Sequence, residues 1–199
     1  VLHLSGPLNL SALQCSLTTL VQRHAILRTT FTLEAGNPVQ RIGSVGEIPL
    51  PVIAPEKMGQ NVAEIKPLVD RFLRQPFHLE QGPLFRAGLF QLGETDHILA
   101  LGFHHIITDG WSIGIVNREL TELYNSCSAG LRPNLPPLTL QYADYAQEQQ
   151  SRLCGAGLEH QLSYWKQKLD DGPRRTSLPT DFPRSKIQIF RGTRERLHL

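Results

Sequence analysis

Apolar positions along this 199-residue chain recur sometimes at helical and sometimes at strand-like spacing. Residues 1–4 read as a short strand closed by Gly6-Pro7. Asn9 suits a helix N-cap, because its side chain can accept from amides that lack an intrahelical partner. Leu10, Leu13, Leu17, Leu20, His24 and Leu27 follow at helical spacing. Residues 29–33 and 39–42 flank Gly36-Asn37-Pro38 as the arms of a hairpin. The stretch 43–59 is Pro/Gly-rich and irregular, with a strand predicted over 48–53. Val62, Ile65, Leu68, Val69 and Phe72 predict a second amphipathic helix, in which Pro67 marks a kink or a late start. Residues 84–92 and 97–103 are apolar runs joined by Gly93-Glu94-Thr95-Asp96, which predicts an antiparallel hairpin in the heart of a sheet. A helix then carries Ile113, Val116, Leu120 and Leu123 on one face. Prolines over 133–137 break the chain. A long helical stretch, interrupted near Gly155-Ala156-Gly157, ends with Leu158, Leu162, Trp165 and Leu169. Residues 170–184 form a Pro-rich connector, and 187–199 restart as strand. Strands and helices therefore mix as α/β or α+β.

Charge and cysteine content narrow the field. Lys and Arg number 20 against 18 Asp and Glu, a net of +2. That balance argues against a nucleic-acid binder. Arg174-Arg175 and Arg191, Arg194 and Arg196 are short clusters that read as solvated surface. No apolar run approaches the roughly 20 residues that span a bilayer, and residues 1–7 lack a signal-like pattern. Cys15, Cys127 and Cys154 are scattered without CxxC spacing, which argues against a disulfide frame or a zinc site. A reducing, cytoplasmic setting without membrane, metal or nucleic acid is expected. Both ends fall in strand-like patterns, so the chain reads as a piece of a larger protein.

The run His104-His105-Ile106-Ile107-Thr108-Asp109-Gly110 holds the candidate chemistry. Neighbouring residues point to opposite faces of a strand and lie roughly 100° apart on a helix. The two histidines are therefore poorly placed to address one small target, which weakens a metal reading. One should face a reaction space and the other should be hydrogen-bonded within the fold. Strand parity groups His105 with Leu99, Leu101 and Phe103, and His104 with Ile98, Ala100 and Gly102; it does not choose between them. Asp109 suits an N-cap, an acceptor orienting a histidine, or half of an ion pair. Gly110 allows a positive φ or a close backbone approach. A strand-to-helix junction also leaves free amides, which suit a developing negative charge.

Residues 103–112, Phe-His-His-Ile-Ile-Thr-Asp-Gly-Trp-Ser, resemble the signature of nonribosomal peptide synthetase condensation domains. Arg23-His24-Ala25-Ile26-Leu27-Arg28-Thr29-Thr30-Phe31 is similar to that family's upstream motif, and Tyr142-Ala143-Asp144-Tyr145-Ala146 to a later one. Residues 76–86, Tyr164-Trp165 and residues 178–184 also fit, in the family's order. There are departures: Ala25 stands for a usual Glu, His78 for a usual Asp, and Gln147-Glu148-Gln149 replaces an expected Trp.

The resemblance implies a chloramphenicol-acetyltransferase-like lobe, an α+β two-layer sandwich with a mixed, largely antiparallel sheet packed against helices. Residues 1–175 would be the N-terminal lobe, and 176–199 a crossover to a C-terminal lobe. The implied reaction joins two acyl groups held as thioesters on phosphopantetheine arms of donor and acceptor carrier proteins, beside an adenylation domain, with no further cofactor. His105 would meet the acceptor amine. His104 and Asp109 would be structural, Asp109 pairing with an arginine of the second lobe, and the Gly110 amide would lie near the reacting groups. Trp111 and Ser112 complete the run, and Arg23, His24, Arg28, Tyr142 and Asp144 form a secondary set. Two alternatives stand beside this one. One is a non-catalytic docking domain of the same build; the other is an HxxxDG acyltransferase acting on coenzyme-A thioesters.

Overall fold

A computed structural model describes residues 1–46, 48–54, 62–170, 172, 179–183 and 187. The chain divides into two compact units, Val1–Ser151 and Arg152–Leu199.

In the first unit the central sheet has the order β1-β6-β5-β4. Strands β5 (Phe85–Gln91) and β6 (Asp96–Phe103) form the predicted antiparallel hairpin. β1 (Leu2–Ser5) pairs antiparallel to β6, and β4 (Val52–Ile53) adds parallel to β5. The strand predicted over 48–53 thus shrinks to two residues. A separate hairpin joins β2 (Thr29–Glu34) and β3 (Asn37–Ile42). Its turn falls one residue earlier than the sequence suggested. Ala35 and Gly36, at φ +50° and +80°, are the two loop residues, the positive-φ pair that matches strand twist in a two-residue hairpin. Asn37 and Pro38 lie in β3, and the lost amide of Pro38 is tolerated in a two-stranded ribbon.

Both faces of the central sheet are covered, which explains its nearly continuous apolar runs. On one face, Leu13, Leu17, Leu20 and Val21 of α1 (Leu10–Arg23) pack with Val116, Leu120 and Leu123 of α3 (Gly110–Ala129) against Phe85, Ala87, Leu89 and Leu99. Leu17 and Leu20 are fully buried, each worth about 1.5–3 kcal/mol relative to exposure. On the other face, Ile65 and Val69 of α2 (Val62–Leu73) meet Phe90, Leu92, Ile98 and Ala100. The small residues on the His104 side of the strands admit this helix. A Cβ on Gly88 would lie 2.7 Å from the ring of Phe72. Pro67 sits inside α2 and does not delay its start.

Asn9 caps α1 as predicted, its side chain accepting from the Ala12 amide at 3.0 Å. The helix stops sooner than the apolar spacing implied. Arg23 is its last residue, His24 is extended, and Ala25–Arg28 form a 3₁₀ turn that still buries Leu27. A distant side chain accounts for the stop: Gln141 donates to the Arg23 carbonyl at 3.0 Å and accepts from the Ala25 amide at 2.9 Å. Ile113, expected on the buried face of α3, is 38% exposed because the first turn of that helix lies at the surface.

Helix α4 (Tyr142–Arg152) and, in the second unit, α5 (Gly155–Leu169) bury no residue. The break between them falls beside Gly155, at φ +53°. The crossover expected over 176–199 lies outside the described residues apart from 179–183 and Ile187.

Candidate functional site

Strand β6 ends at Phe103, and the chain turns at once. The Ile107 amide donates to the His104 carbonyl at 3.0 Å, closing a β-turn over residues 104–107. Strand alternation therefore ceases before it reaches the histidines. The turn is pinned at both ends. The His104 amide donates to the Leu84 carbonyl at 2.9 Å, and Ile107 is 5% exposed in the main core. His105 and Ile106, between them, are exposed.

The two histidines occupy different environments, set by the turn rather than by strand alternation. His104 is half-buried, and its Nδ1 accepts from the Ile106 amide at 3.0 Å. A nitrogen that accepts carries no proton, so the ring proton belongs on Nε2. The ring of His104 meets Phe77 edge-to-face at 6.2 Å, and Arg86 stacks on Phe77 at 3.8 Å. Phe77 and Arg86 lie within the stretch 76–86 noted in the sequence, though nothing in the local pattern assigned them to the site.

Asp109 takes the N-cap role among the alternatives open to it. Its Oδ1 accepts from the Ser112 amide at 2.8 Å and the Ser112 hydroxyl at 2.6 Å, and the Asp109 amide donates back to Ser112 Oγ at 3.3 Å. This reciprocal capping box satisfies amides that the helix leaves free. The Ser112 hydroxyl above all, and then its amide, hold the Asp109 carboxyl below the usual carboxylate range. Gly110 opens α3 without a positive φ, and a Cβ there would meet nothing within 4 Å. The expected close approach is therefore not made by any described residue. Instead, open space adjoins the helix start, where Trp111 is 83% exposed.

The secondary set is mostly scaffold. Glu119 of α3 is 4% exposed, and its Oε2 accepts from Arg23 Nε at 3.0 Å and faces His24 Nε2 at 2.6 Å. Arg23 also donates to the Pro136 carbonyl at 2.6 Å. Asp144 accepts from the Gln141 amide at 2.9 Å, supporting the residue that ends α1. Arg28 reaches the Gly43 carbonyl at 2.5 Å, and Tyr142 lies against Tyr145. One member does approach the His-His run. His24 and Ile26 share a pocket of about 90 Å³ with Ile107, Thr108 and Ser112. Glu119 and Gln141 escaped sequence reasoning because a glutamate in a helix and a glutamine beside prolines carry no local signature of burial. A cleft of about 380 Å³ along β1 and α3 contains no residue of the run.

Among the described residues, no group of three or more His, Cys, Asp or Glu converges on a metal position. None of the helices there is long and apolar enough to cross a membrane.

A two-faced α/β sheet that carries a pinned, histidine-bearing turn into a capped helix defines the class. The model of the Condensation domain family matches residues 1–199. The chain is 43% identical over 194 residues to chondramide synthase cmdD of Chondromyces crocatus, covering 96% of this chain and 5% of that protein. It is 44% identical over 194 residues to malpibaldin synthetase of Mortierella alpina, covering 96% and 4%. Among solved structures, the X-domain from teicoplanin biosynthesis superposes with TM-score 0.80 at 31% identity, over 93% of this chain and 41% of that one. The starter condensation domain of rhizomide synthetase RzmA shares the fold at TM-score 0.77 and 19% identity, over 86% and 42%. The chain belongs to the condensation-domain family, and it spans a twentieth or less of these two synthetases.

Proposed function

We propose that this chain contributes the histidine-bearing lobe of a condensation site. There the amine of an acceptor, held as a thioester on one carrier protein, attacks the donor thioester on another. The observation that carries the reading is His105. It is exposed, on a turn fixed by the backbone of His104 and the burial of Ile107, directly before the open start of α3. The amine attacks the thioester carbonyl, the tetrahedral intermediate collapses, and an amide forms as the donor thiolate leaves. The proton lost by the amine passes to His105 or to the thiolate.

An α-amine titrates near 8, so a useful fraction is already neutral at pH 7. A general base adds about 10²–10⁴-fold, whereas alignment of two tethered reactants is worth up to roughly 7–11 kcal/mol. We therefore assign His105 chiefly to orienting the amine, and His104, Asp109 and Ser112 to holding it in place. The Gly110 amide, in the first turn of α3, suits the charge developing on the carbonyl oxygen. The partners in this reading are donor and acceptor carrier domains with their phosphopantetheine arms, a second lobe and an adenylation domain, in the cytoplasm.

A second reading has its own support. A structure with TM-score 0.82 to this chain, at 30% identity, is an X-domain in complex with OxyB. A docking surface for another protein is the corresponding role. The complete domain, mixed with donor- and acceptor-loaded carriers, separates the readings by mass spectrometry of the acceptor. Elongated acceptor supports condensation. Product from a coenzyme-A thioester and a free amine instead favours a general acyltransferase. Carrier binding without product in either assay favours docking.

A further inference from the structure

Behind His104 the chain builds a column of three side chains. Arg86, on β5, spreads its guanidinium over acceptors at the end of α2. Nη1 donates to the Phe72 carbonyl and to Gln75 Oε1, both at 3.3 Å, and Nη2 donates to the Pro76 carbonyl at 2.9 Å. These bonds fix the guanidinium, and its Cζ lies over the Phe77 ring, 3.8 Å from the centroid. Phe77 meets the His104 ring at 6.2 Å and 83°. His104 passes the constraint on through Nδ1, which accepts from the Ile106 amide in the turn that carries His105. Glycine at 102 makes room for the column: a Cβ there would lie 3.0 Å from Cγ of Arg86 and 3.3 Å from Leu73.

Packing alone does not call for this construction. An aliphatic residue at 86 would fill the same space beside Gly102 without a charge to satisfy. A forked cation held by three acceptors instead sets an angle, which a flexible lysine would not. A cation over a ring face also stabilises that ring in one orientation. The ring of His104 has two specific contacts among the described residues, one to Phe77 and one to the Ile106 amide.

We propose that Phe77 and Arg86 are positioning residues for the reaction at His105. They hold the His104 ring in one tautomer and orientation, and through its Nδ1 bond they hold the turn that presents His105. The inference rests on the reading of His105 given above. The effect belongs in the rate, because a misplacement of 1 Å can cost about 10²-fold.

The test uses the complete condensation domain carrying Phe77→Leu, Arg86→Met or Arg86→Lys. For the first two, kcat for amide formation falls about 10–100-fold while KM for the loaded acceptor carrier changes less than about twofold. Arg86→Lys, which keeps the charge but not the fork, regains only part of the rate. Long-range ¹H–¹⁵N spectra of ¹⁵N-histidine-labelled domain supply a readout independent of turnover. Wild-type His104, assigned by loss of its signal in His104→Gln, appears as the Nε2–H tautomer. The Phe77→Leu and Arg86→Met variants show a tautomer average. Rates within about twofold of wild type, or a rate loss with an unchanged His104 spectrum, would overturn the proposal. A wild-type domain that makes no amide would instead sink the reading of His105, and the spectra would still decide whether the column fixes His104. If one variant fails to fold, by far-UV circular dichroism, the other two carry the decision.

Discussion

At Asp109 a single carboxylate closes the start of α3, and its ionisation is tied to that task. Its pKa is depressed in the folded chain, chiefly by the Ser112 hydroxyl. A depressed carboxylate contributes stability that is present above its unfolded value, about 3.9. The contribution is lost as pH falls through the lower folded value. Asp109→Asn keeps a capping side chain but has no charge to lose. Wild type should therefore melt above Asp109→Asn at neutral pH, and the two melting curves should converge in acid. A gap that persists undiminished in strong acid would show that the ionised cap is not the source. The same residue scale explains why His104 and His105 part company. The β-turn, not strand parity, sets their environments, and a turn placed immediately after a strand leaves no periodic trace.

Among the elements, α1 and α3 are joined by buried Glu119, which meets both Arg23 and His24 at the end of α1. Removing one member of a buried ion cluster leaves its partners desolvated without compensation. Glu119→Ala should cost about 3 kcal/mol by urea unfolding. A loss within about 0.5 kcal/mol, the usual value for surface positions, would place the cluster among weak surface pairs. The elements themselves were largely legible. The β5–β6 hairpin, the α1 cap at Asn9 and the amphipathic α2 follow from local periodicity and capping chemistry. What escaped depended on residues far apart in sequence. Gln141 ends α1, Phe77 and Arg86 stand behind His104, and β4 is shortened to the two residues that find a partner in β5. No window of a dozen residues contains Gln141 with Arg23, Phe77 with His104, or Val52 with Leu89. The candidate site was legible as a run of seven residues, and its supports were not.

For the molecule as a whole, large apolar side chains stand exposed in each of the two units. In the first unit, Trp111 is 83% exposed and Ile106 40%. In the second, Leu162, Trp165 and Leu169 of α5 are 47%, 57% and 67% exposed. Apolar exposure of this kind, where it is contiguous, marks interaction sites or self-association. The 199-residue chain on its own should show a concentration-dependent rise in sedimentation coefficient. The complete domain should sediment as a monomer. A chain that stays monomeric at every concentration would argue that these side chains are only scattered surface residues.

The proposed condensation depends on His105, and single-turnover amide formation by the complete domain reads that dependence. Donor and acceptor carriers are preloaded, and His105→Ala is compared with wild type. The expected result is a fall in rate of at least about 10²-fold, with carrier affinities and the melting temperature unchanged. Amide formation at the wild-type rate by His105→Ala would rule out that role for His105.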